Sequence, residues 1–105
     1  MNHRARLILT IYDEDRTKCV SGIKEVEFPF APYEGLEITV KWTCTYKLKS
    51  VTWSIDEEYF HCLIEDQENY SIEDDGLLAS PITMDFLIKE ARSCGWEGFD
   101  KVMEL

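Results

Sequence analysis

The sequence predicts an α+β domain: an antiparallel sheet of about five strands, a hairpin plus a three-strand meander, with one C-terminal helix packed on one face. Three observations lead to this fold class. Apolar and polar residues alternate along residues 4–12 and 36–48, as they do in half-buried strands. Short polar stretches separate the alternating runs. Apolar residues recur at helical spacing over 84–94, and a chain of 105 residues is the size of a single domain.

The hairpin comes first along the chain. A polar turn at residues 13–16 joins two strands and predicts that Leu9 lies opposite Val20. This register brings the apolar faces of the two strands together, which favours it over a slip by one residue. Alternation restarts after Gly22, and this predicts a β-bulge there.

The meander follows a loop that contains two prolines. We expect one strand over residues 36–48, a tight turn at 49–50 and a second turn near 56–57. The resulting register places Trp53 opposite Phe60 and Val51 opposite Cys62. The three strands then share one apolar face, which we expect to be buried and which includes Trp42, Trp53, Cys44 and Cys62.

The helix has recognisable start and stop signals. Ser80 suits the N-cap, Pro81 the first helical position and Gly95 the C-terminal cap. Trp96 follows the capping glycine and is expected to fold back on the last turn. The predicted buried stripe consists of Met84, Leu87, Ile88, Ala91 and Cys94.

The charge of the chain is one-sided. Residues 1–50 contain seven acids and eight bases, whereas residues 51–105 contain fourteen acids and three bases. The first half therefore has a net charge of +1 and the second half a net charge of −11, which together give the −10 of the chain. Such a field repels nucleic acid and anionic membranes and attracts a basic protein.

The candidate binding surface combines an acidic loop over residues 65–76 with two apolar residues off the buried stripe of the helix. Ile82 and Phe86 either cover the loop or the C-terminal tail or are exposed, and exposed apolar side chains beside charges are typical of contact surfaces. The acidic loop is either a binding site or only a solubilising surface. The candidate partner-binding residues are Glu65, Asp66, Glu68, Glu73, Asp74, Asp75, Ile82 and Phe86.

No motif indicates catalysis. The glycines form no phosphate-binding loop, and no G-x-S-x-G, H-E-x-x-H or Walker sequence occurs, so we expect neither a cofactor nor a metal. His61 and Cys62 are adjacent on a strand, so their side chains point to opposite faces. Asp13 and Asp15 offer oxygen ligands for a divalent ion, but acids at a hairpin tip beside Arg16 are typical of a solvated turn.

These observations favour a small, acidic, non-catalytic binding protein that engages a basic protein partner, as an inhibitor or immunity-type protein does. The alternative is a self-associating structural or accessory protein, a homodimer formed through an exposed edge strand or a bare sheet face. A small enzyme that uses carboxylates ranks third. No signal-peptide core and no membrane-spanning run occur, so we expect a cytoplasmic protein with four reduced cysteines.

Overall fold

The computed structural model describes residues 2–13, 15–40, 44–65, 70–72, 78–81 and 83–104. Within these ranges the chain forms strands and one short helix. The strands are β1 (His3–Tyr12), β2 (Lys18–Phe28), β3 (Glu37–Val40), β4 (Cys44–Ser54), β5 (Tyr59–Ile64), β6 (Tyr70–Ile72), β7 (Leu78–Pro81), β8 (Glu97–Gly98) and β9 (Met103–Glu104), and the helix α1 is Met84–Ser93.

The main sheet has seven strands in the order β3-β4-β5-β1-β2-β8, with β9 also paired to β2. It is mixed, because β5 runs parallel to β1 while the other pairs are antiparallel. The predicted five-stranded antiparallel sheet is therefore wrong, and the chain is mostly sheet with one short helix. The parallel pair joins segments more than fifty residues apart, with Ala5 opposite Phe60 and Leu7 opposite Cys62. No local pattern specifies such a pairing.

The first hairpin is shifted by two residues from the predicted register. Leu9 lies opposite Gly22, and no bulge interrupts the pairing of β1 and β2. The turn is longer than expected because the Asp13 carboxylate accepts hydrogen bonds from the Thr17 N–H (2.7 Å) and the Lys18 N–H (3.1 Å). A shift of two residues keeps the same side chains on the same face, so the predicted buried face is retained.

The middle of the predicted meander is also wrong. β4 continues through residues 49–50, where we expected a turn, and its register on β5 shifts between Leu48 and Ser50. The chain instead reverses between Val40 and Cys44, which are paired across β3 and β4. The turn at residues 55–58 lies where it was predicted.

The predicted pairs Trp53–Phe60 and Val51–Cys62 are confirmed. However, the burial expected for Trp53 is wrong, since this side chain is 49% exposed. It lies one residue before the end of β4. Trp42 lies outside the described residues.

The helix begins later than predicted. Thr83 is the N-cap, and its side chain accepts a hydrogen bond from the Phe86 N–H at 3.2 Å. Ser80 and Pro81, predicted at the helix start, belong to β7 instead. β6 and β7 form a separate two-stranded sheet, so part of the predicted acidic loop is a strand.

The predicted end of the helix is confirmed. Gly95 has a φ of 91°, a left-handed conformation that favours glycine. Its N–H donates to the Arg92 carbonyl (3.1 Å), and the Trp96 N–H donates to the Ala91 carbonyl (3.2 Å). This pair of bonds is the Schellman motif, which returns the residue after glycine onto the last turn. Trp96 is consequently buried, at 2% exposure.

One core lies between α1 and a single face of the sheet. Its buried residues include Ala5, Leu7, Leu9, Ile11, Val20, Leu48, Cys62, Ile64, Ala91, Cys94, Trp96 and Phe99. Met84, Leu87 and Ile88 pack against it, so the predicted stripe of the helix is confirmed. The tail docks as well, because Phe99 is 5% exposed and β8 and β9 pair with β2.

Candidate functional site

No helix of the described residues packs on the second face of the sheet. Strand alternation directs to it the residues that lie between the core positions of β1, β2 and β5. These are Arg4, Arg6, Ile8 and Thr10, then Ser21, Ile23, Glu25 and Glu27, and finally Tyr59, His61 and Leu63. We refer to these side chains as the open face.

Charged groups occupy one end of the open face. The Arg6 guanidinium donates to the Glu25 carboxylate at 3.2 Å and lies 4.8 Å from the centre of the Tyr59 ring. With Arg4 and Glu27 these residues line a cavity of about 250 Å³. Because the two arginines face two carboxylates, the cavity has no excess of either charge.

The next row of the open face is apolar. Ile8 lies between Ile23 on one side and Leu63 on the other, since it is paired with both in the sheet. Ile23 is 37% exposed and Leu63 is 43% exposed. Beyond this row the hydroxyls of Thr10 and Ser21 are hydrogen-bonded at 3.0 Å.

The turn between β4 and β5, residues 55–58, carries three consecutive acidic residues. Asp56, Glu57 and Glu58 are all exposed there. Ile55, beside them, is 80% exposed. We refer to residues 55–58 as the acidic turn.

Glu57 is held in place by β5. Its carboxylate accepts a hydrogen bond from the Tyr59 hydroxyl and lies 3.7 Å from His61 Nε2. The hydrogen bond to Glu57 is the main reason that the pKa of Tyr59 is raised. The acidic turn therefore has one carboxylate fixed to the sheet and two that are free to meet a partner from outside.

The predicted site residues are placed only in part. Glu65 and Phe86 are described, whereas Asp66, Glu68, Glu73, Asp74, Asp75 and Ile82 lie outside the described residues. Phe86 is 55% exposed on the first turn of the helix. Glu65 is exposed, but it lines an open groove of about 860 Å³ in which Lys47 and Lys49 balance Glu65 and Glu34. Its surroundings are thus less acidic than the sequence suggested.

The sequence pattern did not reveal the acidic turn as a candidate site. Its three carboxylates belong to the acidic second half of the chain, but the sequence did not show that an exposed Ile55 lies beside them. The usable signal was an apolar residue at the first position of an acidic turn, where no strand neighbour covers it.

The described residues offer few groups suited to metal binding or nucleophilic catalysis. They contain no group of three or more His, Cys, Asp or Glu side chains arranged to hold a metal. His61 and Cys62 diverge as predicted, with His61 beside Glu57 and Cys62 completely buried. Burial raises the pKa of the Cys62 thiol to about 11, so it is a poor nucleophile near neutral pH.

At the hairpin tip, the Asp13 carboxylate is already occupied by Thr17 and Lys18. The hydrogen bond from the Thr17 hydroxyl is the first cause of a lowered pKa for Asp13. An acid bonded within its own turn is a structural element of that turn.

The fold and these surfaces define a mostly-β domain with an open sheet face and an acidic turn. A scan against protein-family models finds no match, and searches of curated proteins and of solved structures find no significant relative. The one described helix has ten residues, and none in the described chain is long and apolar enough to cross a membrane.

Proposed function

We propose that this chain is a small, non-catalytic binding protein whose acidic half engages a basic protein partner, in the manner of an inhibitor or immunity-type protein. The observation that carries the proposal is the acidic turn. It presents three exposed carboxylates and an exposed isoleucine at the tip of a paired hairpin.

The sequence around the acidic turn reinforces its charge. Residues 50–88 contain ten acids and no Lys or Arg. Lys49 and Lys89 are the basic residues that flank this stretch. Uncompensated charge of one sign steers an oppositely charged partner and increases its rate of association.

The apolar area buried in the interface sets how slowly such a complex dissociates. Rim charges mainly change the association rate, whereas buried apolar anchors determine how slowly a complex dissociates. Ile55 is placed to be this anchor because it is the most exposed large hydrophobic residue of the described chain. Phe86, from the candidate patch on the helix, is a second anchor in this proposal.

We also propose that the protein acts in the cytoplasm and binds neither nucleic acid nor anionic membranes. The buried cysteines Cys19 and Cys62 are free thiols, which supports a reducing compartment. The net charge of −10 supports a partner of opposite sign.

The test is affinity capture from host extract with a charge-reversed acidic turn. Asp56→Lys/Glu58→Lys leaves Glu57 and its bonds to β5 intact. We expect this variant to recover at least ten times less of the partner than the parent at about 50 mM salt. Capture by the parent should itself weaken at about 500 mM salt, because screening shortens the range of the attraction.

The matched control is Glu34→Lys/Glu37→Lys, which makes the same change of net charge at two exposed acids elsewhere. Equal losses from both variants would mean that only net charge matters. Capture that ignores both reversals and salt would contradict the proposal.

Self-association is a second candidate function. It is favoured by a specific feature of β4, an uncovered backbone edge.

A further inference from the structure

β4 has one edge that is covered along only half of its length. β3 pairs with Cys44 to Lys47, and Leu48 exchanges hydrogen bonds with Gly35 and Leu36 (2.8 and 2.9 Å). Over residues 49–54 no other strand of the described chain pairs with this edge, although the opposite edge is paired with β5. We refer to residues 50–54 on this side as the open edge.

The direction of the backbone groups along the open edge follows from one hydrogen bond. The Glu58 N–H donates to the Ser54 carbonyl at 2.9 Å, so Ser54 directs its backbone groups toward β5. Along an antiparallel strand the N–H and C=O groups of successive residues alternate in direction. Thr52 therefore also faces β5, while Val51 and Trp53 direct their N–H and C=O groups outward.

The side chains of the open edge are suited to pairing. Residues 50–54 contain no charge and no proline. Lys, Pro and inward-pointing charges are the usual protection of an edge strand, and residues 50–54 have none of them. The Trp53 and Phe60 rings are in contact, with their centres 4.8 Å apart and their planes tilted by 59°, but Trp53 remains 49% exposed.

We propose that the open edge pairs with the same edge of a second copy of this chain, antiparallel, about a two-fold axis at Thr52. In this register Val51 of each copy is opposite Trp53 of the other. Both residues direct their backbone groups outward, so the two pairs form four N–H···O=C hydrogen bonds. Each Trp53 ring then packs beside a Val51 side chain on the same face.

Neighbouring registers are less favourable. Centring the pairing on Val51 places Trp53 opposite Lys49, where the strand is irregular. Centring it on Trp53 places Val51 opposite Ile55, where the chain has already entered the acidic turn. Only the register centred on Thr52 pairs both outward residues within the strand.

Charge complementarity also selects a second copy. Lys49 lies just before the open edge and Asp56 lies just beyond its other end. A two-fold axis brings Lys49 of each copy to the end that carries Asp56 of the other. A parallel arrangement would place like charges together.

This inference goes beyond the proposed basic partner and fails independently of it. Each copy carries a net charge of −10, so the copies repel each other at long range and added salt should strengthen the dimer. The complex with a basic partner responds to salt in the opposite direction. The paired segment is short, so the dimer belongs to the small and weak class of interfaces, with an expected Kd on the order of 10–100 µM.

The first test is sedimentation velocity from about 1 to 1,000 µM, a range that spans the expected Kd. The parent should shift from 12.3 kDa toward twice that mass. Thr52→Lys and Thr52→Glu each place two like charges directly opposite one another at the axis. Each variant alone should raise the Kd at least tenfold, and an equimolar mixture of the two should restore the dimer.

Thr45→Lys and Thr45→Glu are the controls, because Thr45 is an exposed threonine of the same strand in the part that β3 covers. They should dimerise like the parent. A parent that stays at 12.3 kDa throughout overturns the proposal. So does a dimer that Thr52→Lys leaves unchanged, or one that Thr39→Lys on the β3 edge disrupts instead.

A second variant fixes the register without relying on charge. Thr52→Cys places two thiols in a non-hydrogen-bonded antiparallel pair, where the Cα atoms are about 4.5 Å apart, within disulfide range. Mild oxidation of folded protein should give a covalent dimer with Thr52→Cys and none with Thr45→Cys. Equal cross-linking of both variants, or of neither, overturns the register.

Discussion

The ring of Phe99 lies directly over Gly22, so close that a Cβ at Gly22 would come within 2.2 Å of a ring carbon. Phe99 also donates its N–H to the Ser21 carbonyl at 3.0 Å. Its φ of 65° is left-handed, a strained conformation for a residue with a side chain. Burial of the Phe99 ring stabilises the fold by more than this backbone strain costs. The ring can occupy this position because Gly22 has no side chain. The C-terminal tail thus packs against β2 at Gly22, where there is room for the Phe99 ring.

Gly22→Ala should therefore destabilise the protein by about 1–3 kcal/mol, the usual cost of overpacking. The measurement is chemical denaturation of four proteins: the parent, Gly22→Ala, Phe99→Ala and the double variant. In the Phe99→Ala background the added methyl group meets no ring, so the coupling energy should be at least about 1 kcal/mol. Additive effects would show that the ring does not restrict position 22.

The elements that the sequence predicted correctly are those set by short-range rules. Gly95 and Trp96 form the helix end because a capping glycine and the residue after it are determined within six residues. The pairs Trp53–Phe60 and Val51–Cys62 follow from one short turn and strict alternation. The buried face of the first hairpin also survived its change of register, since the shift was an even number of residues.

The elements that were missed depend on distant contacts. Alternation continues through residues 36–48 whether the chain is one strand or two, so it does not reveal the reversal between Val40 and Cys44. The parallel pairing of β1 with β5 joins the hairpin to the meander, and the sequence pattern did not specify how these two units are arranged in the sheet. Trp53 was assigned to the core from its face alone, although burial also depends on its position along the strand.

The two tryptophans Trp53 and Trp96 provide a matched test of burial. Trp96→Ala should cost about 3–5 kcal/mol, because its ring is 2% exposed and packs on Tyr46 at 5.5 Å. Trp53→Ala should cost about 1 kcal/mol or less, mainly the loss of its tilted ring contact with Phe60. Thermal unfolding at low protein concentration, where the chain is monomeric, measures both. A larger loss of stability for Trp53→Ala than for Trp96→Ala would contradict the greater burial of Trp96.

The cysteines are expected to be free. Thiol titration of unfolded protein without reductant should find four, since Cys19 and Cys62 are free thiols and the sequence predicts that Cys44 and Cys94 are reduced as well. In folded protein Cys62 should react most slowly, because burial raises its pKa to about 11 and only the thiolate attacks. A count of two would indicate a disulfide and contradict the cytoplasmic assignment.

The Cys62 thiol makes the free energy of unfolding depend on pH in the alkaline range. Above its ordinary value of 9.0 the unfolded chain releases the Cys62 proton, while the folded chain keeps it until about 11. The folded state thus binds more protons in this window, and stability falls as pH rises through it. Denaturation midpoints at pH 8 and about 10.5 should differ more for the parent than for Cys62→Ala. Equal differences would mean that other groups cause the decline.

The sequence predicted the acidic character of the candidate site but not which residues are neighbours there. Composition shows that acids concentrate after residue 50, and this required no structure. It did not show that Glu65 shares a groove with Lys47 and Lys49, because those lysines come from β4 and its irregular stretch. Surface charge depends on which strands are neighbours, and this is the feature that local patterns predicted least well.

The final prediction concerns the acidic segment itself. Reversing Glu73, Asp74 and Asp75 to lysine changes the net charge from −10 to −4. Because surface substitutions usually cost within about 0.5 kcal/mol each, the variant should fold. Its association with a basic partner, followed by stopped-flow or surface binding, should slow and depend less steeply on salt, since less charge remains to steer the encounter. Glu34→Lys/Glu37→Lys is the control for a general change of charge. If the triple variant associates at the parent rate with the parent salt dependence, this segment only increases solubility, and the acidic turn alone would remain as the contact.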